Sequence, residues 1–375
     1  MKIYTVIPKA LGQISTWSKK IPHAFSKTTG VILLQPITKE GPSMSPYAAD
    51  DYFKINKDIA DSIDEVIETG LKHDVGIGVD LVYNHAAIDG EIVNKHLDWI
   101  KRNKDGSLRL GQGGGEIWHD IVQWNYLHEE AQEMAIEYAR MWARIPYETN
   151  GIIRFDNIKE SHVPTTKKIL NMLNKEFPGI HTTGEYFGHK GKRQQFTEAG
   201  IDSYLSMALF KQTCPEMAEY LREMHKSNVP HFTPISTHDS KGPEEVFGIV
   251  QSWIPRYAVS ALMNDSEYYG ITMWDEHGHP NKIPFIGENI PSKPQKRMNF
   301  ENYFSAIDER AKDFTGEIKI TNNECIIHAQ RNGHDVFVNF DINKSREFEG
   351  ITLPPHSVLV DDTLFYEQNG EIKNT

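Results

Sequence analysis

Four short segments carry ionisable side chains at spacings suited to acid, base and nucleophile chemistry. GVDLVYNH supplies Asp80, Asn84 and His85; RFDNIK supplies Arg154, Asp156 and Lys159; TTGEYF supplies Glu185; STHD supplies His238 and Asp239. Two carboxylates facing each other across a bound sugar can cleave a glycosidic bond, one attacking the anomeric carbon while the other protonates the leaving oxygen. That division of labour requires opposite protonation states. Arg154 lies two residues before Asp156, so a pleated strand points both to one face, and the guanidinium is expected to hold Asp156 ionised as a nucleophile. Glu185, flanked by Tyr186 and Phe187, is expected in a drier wall that raises its pKa and keeps it an acid. Asp239 is then a third carboxylate for the positive charge that develops in the transition state. His85 and His238 suit hydroxyl recognition, Tyr47 suits stacking on a pyranose face, and Lys159 is a candidate substrate contact.

Such groups need elements that bring distant segments to one place. Eight runs of β-branched and apolar residues bounded by turn residues read as buried parallel strands: Lys2–Pro8, Thr29–Pro36, Val75–Asn84, Gly151–Asn157, Ile180–Phe187, Ile201–Ala208, His231–Thr237 and Tyr268–Met273. Helical spacing lies between them, as in Ile59, Ile63, Val66, Ile67 and Leu71, in Ala131, Ala135, Tyr138 and Trp142, and in Ile169, Leu170 and Leu173 after Pro164. Strand alternating with helix in this way predicts an α/β fold, a (β/α)8 TIM barrel over residues 1–314 whose catalytic groups gather at the C-terminal ends of the strands. Residues 86–125 are too long for an ordinary strand-to-helix loop and predict a lid insertion after the third strand. From residue 315 to 375 the pattern changes to alternation with Asn322-Asn323 and Asn332-Gly333 turns, which predicts a C-terminal antiparallel β-domain.

With those strands assigned, the order DLVYNH, RFD with Lys159, GEYF and HD on strands three, four, five and seven resembles the α-amylase family of retaining glycoside hydrolases. SPYAADDYF, with Tyr47, WHDIVQWNY and EYYGITMWDE extend the likeness along most of the chain. The resemblance implies a covalent glycosyl-Asp156 intermediate, Glu185 as acid/base and Asp239 as transition-state stabiliser. It places Asp80, His85, Arg154 and His238 around the sugar, and implies α-1,4-glucans, maltooligosaccharides or related α-glucosides as substrates. Water as acceptor gives hydrolysis and a sugar acceptor gives transfer by the same residues. No cofactor is required for the chemistry. A structural calcium ion would use Asn84 with oxygens such as those of Asp89 or Asp120.

Composition narrows the alternatives. Lys plus Arg number 40 against 52 Asp plus Glu, a formal charge of −12, and an acidic field repels nucleic acid and anionic lipid. An oligosaccharide or polysaccharide is the expected partner. Cys214 and Cys325 have neither disulfide-framework nor zinc spacing, and the N-terminus lacks a signal-peptide pattern, so a cytoplasmic protein is expected. His277-Gly278-His279 is reminiscent of a metal pair but reads as a solvated loop or substrate rim, and Gly111 to Gly115 reads as lid flexibility. Two other readings stand beside glycoside cleavage: an amylase-like sugar-binding scaffold without turnover, and a metal-dependent barrel hydrolase using the His277 region.

Overall fold

The computed structural model describes residues 1–113, 115–188 and 190–375. Eight parallel strands close into a barrel in the order of the sequence: β1 Lys2–Val6, β2 Thr29–Leu34, β3 Gly76–Leu81, β4 Ile152–Phe155, β5 His181–Gly184, β6 Ser203–Leu205, β7 His231–Pro234 and β8 Tyr269–Thr272. All eight expected strands are present, each shorter than its apolar run. Asp80 and Arg154 stay within β3 and β4, while Asp156 and Glu185 lie just past the ends of β4 and β5.

Alternate residues along each strand face inward. Ile3, Val31, Leu33, Ile152, Leu205, Phe232 and Tyr268 form the barrel's interior cluster, while Ile77, Val79, Ile153 and Phe155 pack outward against the helices. Glycine makes room for the large members. A Cβ on Gly78 would meet Leu33 and Ile152 side chains at 3.1 and 3.0 Å, and one on Gly270 would meet the Ile3 carbonyl at 2.3 Å.

The helix Ile63–His73 starts at Ser62, whose hydroxyl accepts from Glu65 N, and stops at Asp74 in the left-handed region. Ile59 lies before this helix and Leu71 is 59% exposed, so the helical stripe read from the sequence overshoots at both ends. Ala131, Ala135, Tyr138 and Trp142 are buried on the helix Glu129–Thr149, and Pro164 lies in the first turn of Val163–Glu176, where its missing N–H costs nothing.

After β3 the chain forms a three-stranded antiparallel sheet from His85–Ala87, Leu110–Gly113 and Glu116–Gln123. Two of the glycines in this run also have a packing role. A Cβ on Gly113 would come within 2.3 Å of the Trp118 ring, and one on Gly111 within 2.3 Å of Ile121, so both let side chains of the facing strand lie flat on the backbone. Gly114, in the middle of the run, lies outside the described residues.

A six-stranded antiparallel sheet spans Ile318–Asn322 to Glu371–Asn374. Asn332 and Gly333 both have positive φ in one of its two-residue hairpins. It meets the barrel side through Tyr303 against Phe365, with ring centroids 5.4 Å apart, and the Arg310 guanidinium 5.1 Å from the same ring.

The first strand is tied to the last barrel helix by a buried charge pair. Lys2 Nζ donates to Asp308 Oδ2 at 2.8 Å and to His23 Nε2 at 2.9 Å, and Asp308 Oδ1 accepts from Tyr257 and Tyr269 hydroxyls. Burial and the Lys2 charge press the His23 pKa down to about 3, so its ring is a neutral acceptor. Lys2→Met leaves Asp308 buried without a counter-charge and is expected to cost about 3–5 kcal/mol in urea denaturation, part of which Lys2→Met/Asp308→Asn recovers.

Candidate active site

Strand register builds the site. Asp80 on β3 is the direct partner of Arg154 on β4, and Arg154 is in turn the partner of Thr183 on β5. The ladder continues one residue past the strand ends, with Asp156 N donating to Leu81 O at 3.1 Å and Glu185 N to Phe155 O at 2.9 Å. Asn157 then enters the left-handed region at φ 38°, which turns its N–H back onto Glu185 Oε2 at 2.9 Å. A rigid backbone frame thus holds both expected catalytic carboxylates.

One guanidinium sits among them. Arg154 NH1 contacts Asp80 Oδ2 and lies 3.3 Å from Asp156 Oδ1, while NH2 lies 2.9 Å from Glu185 Oε2. Contact with one planar fork keeps Asp156 and Glu185 at the same end of the barrel. The charge balance differs from the sequence expectation. Arg154 is shared among three carboxylates and approaches Glu185 more closely than Asp156, so Glu185 is ion-paired and not isolated in an apolar wall. Burial pushes Asp156 well above the usual carboxylate range. Arg154 opposes that shift, and the charges of Glu185, Asp80 and Asp239 add to it. Asp80 is raised for the same first reason, burial, against Arg154 and His238. One cation cannot offset two buried carboxylates and a third half-buried beside them, so the cluster favours keeping a proton.

Tyr47 closes one side. Its hydroxyl donates to Asp80 Oδ2 at 2.9 Å and lies 2.7 Å from His238 Nε2. Its ring stacks on His238 with centroids 5.1 Å apart, so one face of Tyr47 is covered by the imidazole and not open to a sugar. His85 Nε2 lies 3.0 Å from the Tyr47 carbonyl and donates to it, and burial lowers its pKa to about 4, which leaves a neutral ring. Asp80 Oδ1 and both Gln35 amide atoms have no protein partner, and beside them lies a void of about 10 Å3, the size of one water.

Asp239 stands apart from the guanidinium. Its side chain is 53% exposed, with Oδ2 2.9 Å from His238 Nε2 and Oδ1 3.6 Å from Lys282 Nζ. Burial works against the charged form there, but His238, Lys282 and Arg154 outweigh it and hold the carboxyl well below its ordinary range. Lys159 lies in the turn Ile158–Glu160, where its carbonyl accepts from Lys192 Nζ. Asn84 Nδ2 donates to the carbonyls of Asp156 and Asn157 at 3.2 and 3.1 Å, while its Oδ1 is buried without a partner. No group of three His, Cys, Asp or Glu side chains spaced to share an ion occurs among the described residues. Calcium at Asn84 would therefore rest on carbonyl oxygens and water.

Several residues at the mouth carried no sequence signal. Lys282 and Phe285 come from the irregular stretch after β8, Phe285 meeting His238 edge-on at 5.3 Å and lying under the Lys282 ammonium. The His277 region is also not the solvated loop its polarity suggested. His279 is buried against Trp274 and accepts from Gln295 N at 3.0 Å. Asp275 and Glu276 beside it are buried, held by Ser236 Oγ, Thr272 N and the Tyr4 hydroxyl.

Comparison with known proteins places this geometry. The model of the family described as glycogen debranching enzyme, glucanotransferase domain, matches residues 1–100. Among solved structures, the cyclic α-maltosyl-(1→6)-maltose hydrolase of Arthrobacter globiformis superposes with a TM-score of 0.78 at 13% identity, covering 96% of this chain and 98% of that one. The noncanonic maltogenic α-amylase of Thermotoga neapolitana gives 0.72 at 17% identity over 100% and 93%. The acarbose-bound α-amylase of Geobacillus thermoleovorans gives 0.75 at 12% over 96% and 97%. The fold is that of the α-amylases. No curated protein sequence matches the chain. No helix among the described residues is long and apolar enough to cross a membrane.

Burial lifts Asp275 and Glu276 to about 7 each, above the ~4 of an unfolded carboxyl. Their neutral forms therefore contribute stability that is complete below about pH 4 and is lost as pH rises through 7. Asp275→Asn should flatten the fall in unfolding free energy between pH 4 and 8 by something on the order of 2–4 kcal/mol, read from urea midpoints at each pH.

Proposed function

We propose that this protein is a retaining glycosidase of the α-amylase type that acts on α-1,4-linked glucans or maltooligosaccharides. The observation that carries the reading is the Arg154 guanidinium in contact with Asp80, Asp156 and Glu185 at the C-terminal end of the barrel. In this reading Asp156 attacks the anomeric carbon and Glu185 gives its proton to the departing oxygen, then takes one from the acceptor that releases the sugar. In this reading the proton that the crowded carboxylates share is passed to the departing oxygen through Glu185. As it leaves, the cluster gains negative charge while the sugar ring gains positive charge, so Arg154 and the anomeric centre compensate one another. His238 and Tyr47 hold Asp80 and Asp239 for the ring hydroxyls, and Asp239 turns from Lys282 toward the developing cation.

A second reading, transfer to a sugar acceptor in place of water, is favoured by the match of residues 1–100 to a glucanotransferase domain. The two share every residue named above and separate by product: incubation with maltoheptaose yields longer as well as shorter oligomers if sugar is the acceptor, and shorter ones alone if water is.

Proton NMR of the first-formed product on maltooligosaccharides should give the α-anomer under either reading. Asp156→Asn and Glu185→Gln are each expected to lose at least about a thousandfold in kcat while remaining folded. A β-anomer product, or turnover undiminished in either variant, would remove the mechanism.

A further inference from the structure

At the opposite end of β7 and β8 from Asp239, where these strands begin, the barrel meets the C-terminal sheet around a cavity of about 610 Å3. That is the size of a small-molecule site. Its wall includes Arg222, Lys226 and Asp265 from the barrel side and Lys319 and Arg331 from the sheet. Arg331 is only 9% exposed, and its guanidinium donates to two neutral carbonyls, Gly316 O at 2.9 Å and Asn264 O at 2.8 Å. Arg222, in the last turn of the helix Cys214–Met224, donates to the Asn322 side-chain oxygen at 2.9 Å.

Charge is unbalanced here. Among the described residues, none of Arg222, Lys226, Lys319 and Arg331 lies within 4.0 Å of a carboxylate oxygen. Asp265 is already committed, accepting from His231 N at 2.9 Å and lying 2.7 Å from His231 Nδ1. Glu317 is the only other acid on the wall, and it is exposed. A chain with formal charge −12 has thus gathered four fixed cations around one concave space. Burial of the Arg331 guanidinium is opposed only by the charge of Asp265, and an anion entering the cavity would relieve the remaining cost. Two guanidinium forks beside a lysine match the tetrahedral oxygens of a phosphate better than the two oxygens of a single carboxylate.

We propose that this cavity is a binding site for a phosphate group, carried by a small molecule and held by Arg222, Lys226 and Arg331. Ser227 and Asn228 on the wall offer hydroxyl and amide partners to whatever the phosphate is attached to. The site is remote from the carboxylate cluster and spans the seam between barrel and sheet, so its occupant would fasten the two together.

Isothermal titration of the whole protein at fixed ionic strength, with chloride as the background anion, tests this with inorganic phosphate and with glucose 1-phosphate. Saturable binding of either is expected. Tighter binding of glucose 1-phosphate marks a sugar phosphate as the source and equal affinities mark free phosphate. Lys226→Glu/Lys319→Glu changes two exposed side chains and should weaken both ligands by about tenfold or more, with activity on maltooligosaccharides unchanged. Arg222→Gln, which can still reach Asn322, should weaken them as well. No saturable binding at millimolar ligand, or affinities untouched in both variants, would overturn the assignment.

Discussion

Everything at the mouth of this barrel depends on one cation serving three anions. Arg154 contacts Asp80, Asp156 and Glu185, each from a different strand or the residue just past it. Burial makes three such charges untenable together. The arginine makes two of them tolerable, and the remaining imbalance is what favours a proton in the cluster. A retaining glycosidase needs that condition, one carboxylate ionised and another protonated a sugar's width away. Removing the guanidinium would alter protonation and position together, because the same contacts align the carboxylates and set their charge.

The barrel supplies the precision. Asp80 and Arg154 are register partners on adjacent parallel strands, and the residues beyond the strand ends are still tied by Asp156 N to Leu81 O and Glu185 N to Phe155 O. These side chains therefore hang from hydrogen-bonded backbone, although Asp156 and Glu185 belong to positions just past the sheet. Below them the interior is filled by Leu33, Ile152, Leu205 and Phe232, which closes the floor and leaves little more than a water's space beside Asp80. Asp239 completes the mouth more loosely: it is the most exposed of the acidic groups there and is drawn toward Lys282. Its reach toward a bound sugar is the adjustable part of an otherwise fixed constellation.

How much of this was legible in the sequence follows from what is local. Continuous apolar runs marked the eight strands, and two-residue spacing put Arg154 and Asp156 on one face, because strand burial and the pleat are properties of a few neighbouring residues. Which carboxylate the guanidinium reaches first is set by the offset between β3, β4 and β5, and no single segment encodes it. The packing role of Gly111 and Gly113, which admit Ile121 and Trp118 from the facing strand, was hidden for a similar reason: only pairing reveals it. Lys282, Phe285 and the buried His279 lie in a stretch without periodicity, so no pattern flagged them. Nothing local marks Lys2 for a buried ion pair, because its partner Asp308 is brought against it only by closure of the barrel.

The central claim is that Asp156 and Glu185 face one sugar, with Asp156 forming the bond to it. The most direct measurement is mass spectrometry of the protein after exposure to a fluorinated α-glucosyl fluoride, whose electron-poor ring slows release of any glycosyl-enzyme. The account predicts one added glycosyl group on the peptide containing Asp156, accumulating in wild type and absent in Asp156→Asn. A glycosyl group on any other side chain would contradict it, as would its absence while the reagent is turned over to a product of inverted configuration.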